Sequence, residues 1–417
     1  MRIVYLHQYF RKPTDNGSNR TYEMARRLAV RGHDVHVVSS SSTVDEAFTE
    51  QLDGFSVHWL PVPYDNTMGI GERLKSFVEF ALRSSVTGRM LRGDVVFATS
   101  TPLTIAIPGI ASTLLRRSPL VFEVRDLWPA VPIAMGALGA PWMRALAHGL
   151  EKIAYTASTH VVALSPDMKD GIVATGVPAE KVTIIPNASD NELFAGREEE
   201  GQAWRARHDW LGDRPMVFYG GTIGKVNDVG YLVRLAARLR STHPEVRIVV
   251  VGTGNEEQAV RAEALRLGVE GENVFFLPPV PKFEVLAIFA AADVSVSTVD
   301  DIPVLAANSA NKVFDSFAAG TPVVINHEGW LADLLRASGA GLVLSPQDLD
   351  GSAQRLGDYV TDREALRSGG RAARRLAVEQ FDRQMLADRL AEVLEAAAGP
   401  AALTTGTRAR RALRRGA

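Results

Sequence analysis

Twice along this chain, short runs rich in branched and aromatic residues alternate with stretches of helical periodicity. A strand reaching a parallel neighbour needs a crossover of a dozen or more residues, usually a helix. The alternation therefore calls for parallel sheets wound with helices. In the first half, apolar runs at 3–6, 35–39, 95–98, 120–124, 160–164 and 182–185 predict six strands. In the second half, runs at 215–219, 246–251, 274–277, 294–297, 323–325 and 341–344 predict six more. At 417 residues the chain is too long for one hydrophobic core. The expected fold is α/β, with two Rossmann-like domains facing a cleft. Residues 1–190 form the first domain, 191–214 a polar linker and 215–375 the second domain. A helix over 376–398 crosses back to the first, and 399–417 is a basic, disordered tail.

Charge and residue usage narrow the function. A net charge of −2 gives no general attraction to nucleic acid, and the lack of cysteine rules out disulfides and thiolate catalysis. The opening residues lack the charged start and long apolar run of a signal peptide. The longest apolar stretch, 103–115, is too short to span a bilayer and contains Pro108. A cytoplasmic protein is expected. The nine histidines are scattered without ligand-like spacing. The Asp348-Leu-Asp350 pair opens a helical stretch, where acids act as caps. No metal and no other cofactor is expected.

Residues 308–324 read as a helix, a tight turn after Gly320 and an apolar strand. Phe314, Phe317 and Ala318 share the face that is buried. Asn311 and Lys312 fall in the opening turn, where unpaired amides and the helix dipole attract anions. One turn on, Asp315 offers a carboxylate to hydroxyl groups. A phosphate binder and a diol binder within four residues suit a sugar nucleotide; an amphipathic helix with solvated Lys and Asp fits the same residues. Upstream, Gly220-Gly-Thr-Ile-Gly-Lys225 follows a strand, so the amides around Gly221 and Gly224 and the charge of Lys225 are candidates for a diphosphate. It is not a Walker loop. Val251-Gly-Thr-Gly254 begins like a dinucleotide fingerprint but has Glu257 at the third glycine position. Val280, in Pro278-Pro-Val-Pro281, lies in a rigid loop that could face a base edge or be a plain turn.

In the first half, Gly17 stands where the first loop meets its helix and would admit a phosphate or sugar, or serve a structural turn. No G-x-G-x-x-G follows the first strand, which argues against an NAD enzyme. Arg125 and Asp126 follow the fourth strand, where open α/β sheets bind ligands; a structural ion pair is the alternative. Over 71–92, Leu74, Phe77, Val78, Ala81, Leu82, Val86 and Met90 recur at helical spacing. Arg73, Lys75, Arg83, Arg89 and Arg92 outnumber Glu72 and Glu79 there. Such a helix either lies on an anionic membrane or packs its stripe into the domain. Arg408-Ala-Arg-Arg-Ala-Leu-Arg-Arg415 is basic without aromatic company, and no nucleic-acid partner is expected.

Several pieces together resemble the retaining glycosyltransferases of family 4, over roughly residues 1–395. They are Gly17-x-x-Arg20 with Gly32-His-Asp-Val, Val161-Val-Ala-Leu-Ser165-Pro-Asp-Met168, Val182-Thr-Ile-Ile-Pro-Asn187, Gly220-Gly, Val251-Gly-Thr-Gly254 and Asn311-Lys-Val-Phe-Asp-Ser-Phe-Ala-Ala-Gly-Thr-Pro-Val. The Arg-Asp-Leu-Trp-Pro run at 125–129 resembles the subgroup that builds bacterial surface polysaccharides, including N-acetyl-fucosamine transferases. The resemblance implies a GT-B arrangement and transfer from a nucleotide sugar, a UDP-sugar in the first instance, to a glycan or polyprenyl-linked acceptor. It implies diphosphate contacts from Gly221, Gly224, Lys225 and Lys312, and ribose contact from Asp315, which stands at the latter acid of the family's E-x7-E motif. Arg125 and Asp126 would orient sugar or acceptor. Two departures matter: Ala307 replaces the motif's first acid, and Arg125 stands where many members carry His. An epimerase or phosphorylase on a similar fold, or a non-catalytic sugar-nucleotide-binding subunit, are the alternatives.

Overall fold

The computed structural model describes residues 1–15, 19–64, 68–188 and 190–400. Within these, residues 1–13, 19–186 and 384–400 form one compact unit, and 14–15 with 187–383 form the other. The first unit holds β1 (Arg2–Leu6), β2 (Asp34–Ser41), β3 (Phe48–Leu52), β4 (Phe55–Pro61), β5 (Val95–Thr99), β6 (Leu120–Val124), β7 (His160–Ala163) and β8 (Val182–Ile184). They form one sheet in the order β3-β4-β2-β1-β5-β6-β7-β8, parallel except for the β3–β4 pair. The second unit holds β9 (Met216–Gly220), β10 (Arg247–Val251), β11 (Val274–Leu277), β12 (Val294–Ser297), β13 (Val323–Ile325) and β14 (Gly341–Val343). Their order is β11-β10-β9-β12-β13-β14, parallel throughout.

Both units are Rossmann-like α/β domains, and all twelve expected strands are present. They were legible because a parallel strand is buried on both faces and reads as a continuous apolar run. In β9, Val217 and Tyr219 enter one core cluster and Met216 and Phe218 the other.

Four features differ from expectation. A hairpin, β3–β4, was missed. It turns at Asp53 and Gly54, both with positive φ (36° and 88°), a backbone that Asp-Gly favours. The Tyr22 hydroxyl donates to the Asp53 carboxylate and pins that turn.

The expected linker over 191–214 instead belongs to the second unit. It forms helices Asn191–Phe194 and Glu198–Ala206, which bury Phe194 and Trp204. A Cβ on Gly201 would lie 2.6 Å from the Ala290 carbonyl carbon, so the second of these helices rests directly on helix Lys282–Ala291. A few large apolar anchors outweigh the polar composition.

The return to the first unit begins at Gln384, later than the expected 376. Ala372, Ala373, Leu376 and Phe381 keep the intervening segment in the second unit's core. Helix Arg383–Ala398 then meets the first unit through Glu395, which accepts from Arg31 (2.8 Å). Beyond Pro400 the expected tail lies outside the described residues, as does Gly17.

Helix Ile70–Leu91 does not pack most of its stripe into the domain, which was one of the two readings open for it. Its inward line is Ser76, Phe80, Ala81 and Ser84, while Leu74, Val78, Leu82, Val86 and Met90 are exposed. The cause is close packing: a Cβ on Gly88 would lie 2.1 Å from Ser112 Oγ on helix Ala106–Thr113. Small residues bring the two helices together and turn the large ones outward.

Candidate functional site

In the second unit, β9 and β10 end side by side in two glycine-rich loops. The Gly221 amide donates to the Val251 carbonyl (3.0 Å) and the Ile223 amide to the Thr253 carbonyl (2.9 Å). Gly221 and Gly252 have φ of 146° and 152°, which L side chains rarely adopt. A Cβ on Gly252 would lie 1.9 Å from the Gly221 oxygen, and one on Gly254 2.2 Å from the Ile223 oxygen. The failed fingerprint at 251–254 thus has its own reason: its glycines let one loop back onto the other.

Lys312 comes to the first of these loops from helix Asn311–Ala319. Its Nζ sits 3.9 Å from the centroid of the Tyr219 ring, a cation–π contact, and a Cβ on Gly221 would lie 3.1 Å from it. The Tyr219 hydroxyl donates to the Thr222 carbonyl (2.8 Å), tying ring and loop together. Burial pushes the Lys312 ammonium down to about 7. The helix has no side-chain cap and no acid in its first turn, so its dipole is left for another anion. Asn311 shares that turn. Gly224 and the exposed Lys225 continue the loop into a short 3₁₀ turn, Lys225–Asn227.

Asp315 lies one turn along, half-buried. Burial raises its carboxyl to about 6; Arg383 and Lys282 oppose the shift and Asp190 adds to it. A carboxylate left short of solvent is ready to accept from hydroxyls. The Val280 side chain packs against the core beside β11, which leaves the loop's backbone as what could meet a base edge. Ala307 is buried at the end of a 3₁₀ turn, Pro303–Ala307. Asp348 caps a helix, accepting from the Gly351 amide (2.9 Å), and Asp350 pairs with Arg238 (2.7 Å).

In the first unit, Arg125 and Asp126 stand at the carboxyl end of β6, as expected. The Arg125 amide donates to Ser100 Oγ (3.0 Å), and its guanidinium lies 3.3 Å from His7 Nε2. Asp126 accepts from the Thr101 hydroxyl (3.1 Å) and is exposed. Beneath them is a buried charge network that sequence reading missed. Glu123 and Arg20, 0% and 2% exposed, pair at 2.8 Å. Arg20 also donates to the carbonyls of Pro186 (2.7 Å) and Ile185 (3.0 Å), and Thr99 donates to Glu123 (2.5 Å). Burial alone would raise the Glu123 carboxyl, but Arg20, with help from Arg125 and the Thr99 hydroxyl, more than offsets it and holds the group ionised. His7 is kept neutral, first by burial and then by Arg125. With its Nδ1 2.8 Å from the Thr21 hydroxyl, it supports Arg125 from below. The available signal was a Glu inside an otherwise apolar strand.

Residues 17–188 match the family described as glycosyl transferase 4-like domain, and residues 201–376 match glycosyl transferases group 1. The chain thus carries a glycosyl transferase 4-like domain followed by a domain of the glycosyl transferases group 1 type. Among its relatives is the D-inositol 3-phosphate glycosyltransferase of Nocardia farcinica, 26% identical over 261 residues, 61% of this chain. The match spans little more than half, 56%, of that relative's own length. The glycogen synthase of Mycobacterium tuberculosis is 25% identical, with 95% of each chain covered. The crystal structure of Anabaena Alr3699/HepE in complex with UDP superposes on this chain with a TM-score of 0.70 at 17% identity, covering 94% of this chain and 99% of that one. At that identity the likeness speaks for the fold alone.

Proposed function

We propose that the protein is a retaining glycosyltransferase that moves a sugar from a UDP-sugar to a hydroxyl of a glycan or polyprenyl-linked acceptor. The supporting observation is Lys312, set on the Tyr219 ring against the Gly221 loop, at the open end of a helix that carries Asp315 one turn on. Loop amides and Lys312 would hold the diphosphate, Lys225 would add charge at the loop's end, and Asp315 would accept from ribose hydroxyls. As the sugar C1–oxygen bond breaks, negative charge grows on the departing diphosphate, and these groups stabilise it. The acceptor hydroxyl attacks from the same face and passes its proton to that diphosphate. Arg125 and Asp126, in the first unit, would orient the acceptor or the sugar. The lysines stand in for a metal in this reading.

The Arg-Asp-Leu-Trp-Pro run supports a role in cell-surface polysaccharide synthesis, with UDP-N-acetyl-fucosamine among the donors to try. Such an acceptor suits an enzyme on the inner face of the cell membrane, bound peripherally; no helix among the described residues is long and apolar enough to cross a bilayer. A second reading, a binding subunit without turnover, rests on the buried Ala307 in place of an acid.

Thermal stabilisation by a panel of UDP-, GDP- and ADP-sugars tests the donor, since a ligand of the folded state raises its stability. UDP release in the presence of a polyprenyl-linked acceptor separates enzyme from binder. Turnover should persist in EDTA, and Asp348→Ala should cost about 1 kcal/mol of stability as a lost cap while leaving turnover intact. Loss in EDTA with rescue by Mn²⁺ would overturn the cation-by-lysine mechanism.

A further inference from the structure

Leu74, Val78, Leu82, Val86 and Met90 recur every four residues along helix Ile70–Leu91 and are 49–75% exposed. The neighbouring helix Ala106–Thr113 exposes Ile107, with Leu114 and Leu115 just past its end. Helix Pro141–Ala157 exposes Trp142, Leu146 and Ile153, again on one side. The connections from β4 to β5, β5 to β6 and β6 to β7 all run the same way across the sheet. Right-handed crossovers therefore lay these three helices on one face. Helix Ala106–Thr113 is the middle one, packed against both others.

Monomeric proteins rarely leave so much apolar surface open, and such patches mark partner or membrane sites. The charges around it choose between these. Arg73, Lys75, Arg83, Arg89 and Arg92 outnumber Glu72, Glu79 and Asp94 on or next to the first helix, in a chain whose net charge is −2. Arg116 and Arg117 follow Leu115, and Arg144 and Lys152 outnumber Glu151 on the third helix. Arg83 pairs with Glu79 (2.8 Å) and Arg116 with Asp94 (3.1 Å), which leaves the surplus positive. In a two-fold dimer, the same cations would confront each other across the interface. Lipid phosphates would neutralise them while acyl chains receive the apolar side chains.

We propose that this three-helix face inserts its apolar side chains into the interfacial layer of an anionic bilayer, with its cations on lipid phosphates. The proposal rests on the peripheral-membrane reading above and makes insertion, not charge alone, the source of binding. Binding should then survive in part at salt concentrations that screen surface charge.

The test is sedimentation of the full chain with vesicles of phosphatidylglycerol and phosphatidylcholine at low and high salt. The combined variant Leu82→Ser, Val86→Ser, Leu146→Ser keeps every charge and alters only exposed side chains. It should partition at least tenfold more weakly, with the salt-resistant part gone. Trp142→Phe should bind nearly as well as wild type but lose part of the blue shift in tryptophan emission on adding vesicles. Equal partitioning of the triple variant and wild type overturns insertion and leaves a purely electrostatic membrane contact standing. If wild type ignores every vesicle, both fall, and stabilisation by UDP in the same samples still reports on the transferase reading. A wild-type dimer that the triple variant dissolves, without vesicle binding, would assign the face to a second copy and overturn the proposal.

Discussion

At the carboxyl edge of the first sheet, Arg20 and Glu123 are buried and engage each other, with Pro186, Ile185 and Thr99 among their further partners. At the corresponding edge of the second, Lys312 rests on the Tyr219 ring with no ion pair among the described residues. One edge satisfies its charges internally and works as a rigid base for Arg125 and Asp126. The other keeps a cation short of solvent and short of a counter-charge, so an arriving diphosphate gains more there than at a hydrated lysine. Preorganisation is bought in the first unit by pairing and in the second by glycine geometry.

The largest effects should come from breaking those two supports. Glu123→Ala removes the buried carboxylate that faces the Arg20 guanidinium, and should cost about 3–5 kcal/mol in urea unfolding. Gly252→Ala forces a Cβ into the Gly221 carbonyl at a positive φ. It should destabilise the second unit by at least about 3 kcal/mol and abolish stabilisation by UDP. The sharper contrast is that Glu123→Ala, if it stays folded at low temperature, should still bind UDP. Loss of UDP binding there would mean that the two edges are not independent.

Next in size is Lys312→Ala. Losing charge-assisted contacts should weaken UDP binding by roughly 10- to 100-fold and lower kcat as well, because leaving-group charge grows in the transition state. With its ammonium held down to about 7, the free protein must take up a proton to bind the diphosphate above that pH. UDP affinity should therefore fall as pH rises from 7 to 9, by at most about tenfold per unit, and calorimetry should show proton uptake. The Lys312→Ala profile should be flat. A flat wild-type profile would remove Lys312 from the diphosphate site.

Asp315→Asn should have the smallest effect on binding, on the order of tenfold in UDP affinity, with Asp315→Glu better tolerated. The carboxyl is raised to about 6, so the folded state holds its proton more tightly than the unfolded chain. That makes the ligand-free wild type lose stability as pH rises toward 6, and the loss is complete above it. Asp315→Asn should lack this dependence and melt no lower than wild type at pH 7. Unchanged UDP binding by Asp315→Asn would make the residue a plain helix acid.

The strands and the two-unit plan were legible because they rest on local burial patterns, and the proposed site residues Lys312, Asp315, Gly221, Arg125 and Asp126 were singled out by equally local cues: glycines after a strand, charges at a helix start or a strand end. The linker reading failed because a polar segment was judged by composition, while Phe194 and Trp204 decide its place through contacts distant in sequence. Periodicity found an apolar stripe over 71–92 but could not say which side faces inward. Gly88 meeting Ser112 settled that, and a contact between two helices has no signature in either one alone. The same holds for Tyr219 beneath Lys312 and for Arg20 against Glu123, pairs 93 and 103 positions apart. Sequence by itself determined which segments become strands and helices and which loops carry glycine, because those follow from burial period and backbone freedom. Only the tertiary structure decided which charge is neutralised and which is left for a ligand, because that depends on what the fold brings within a few ångströms.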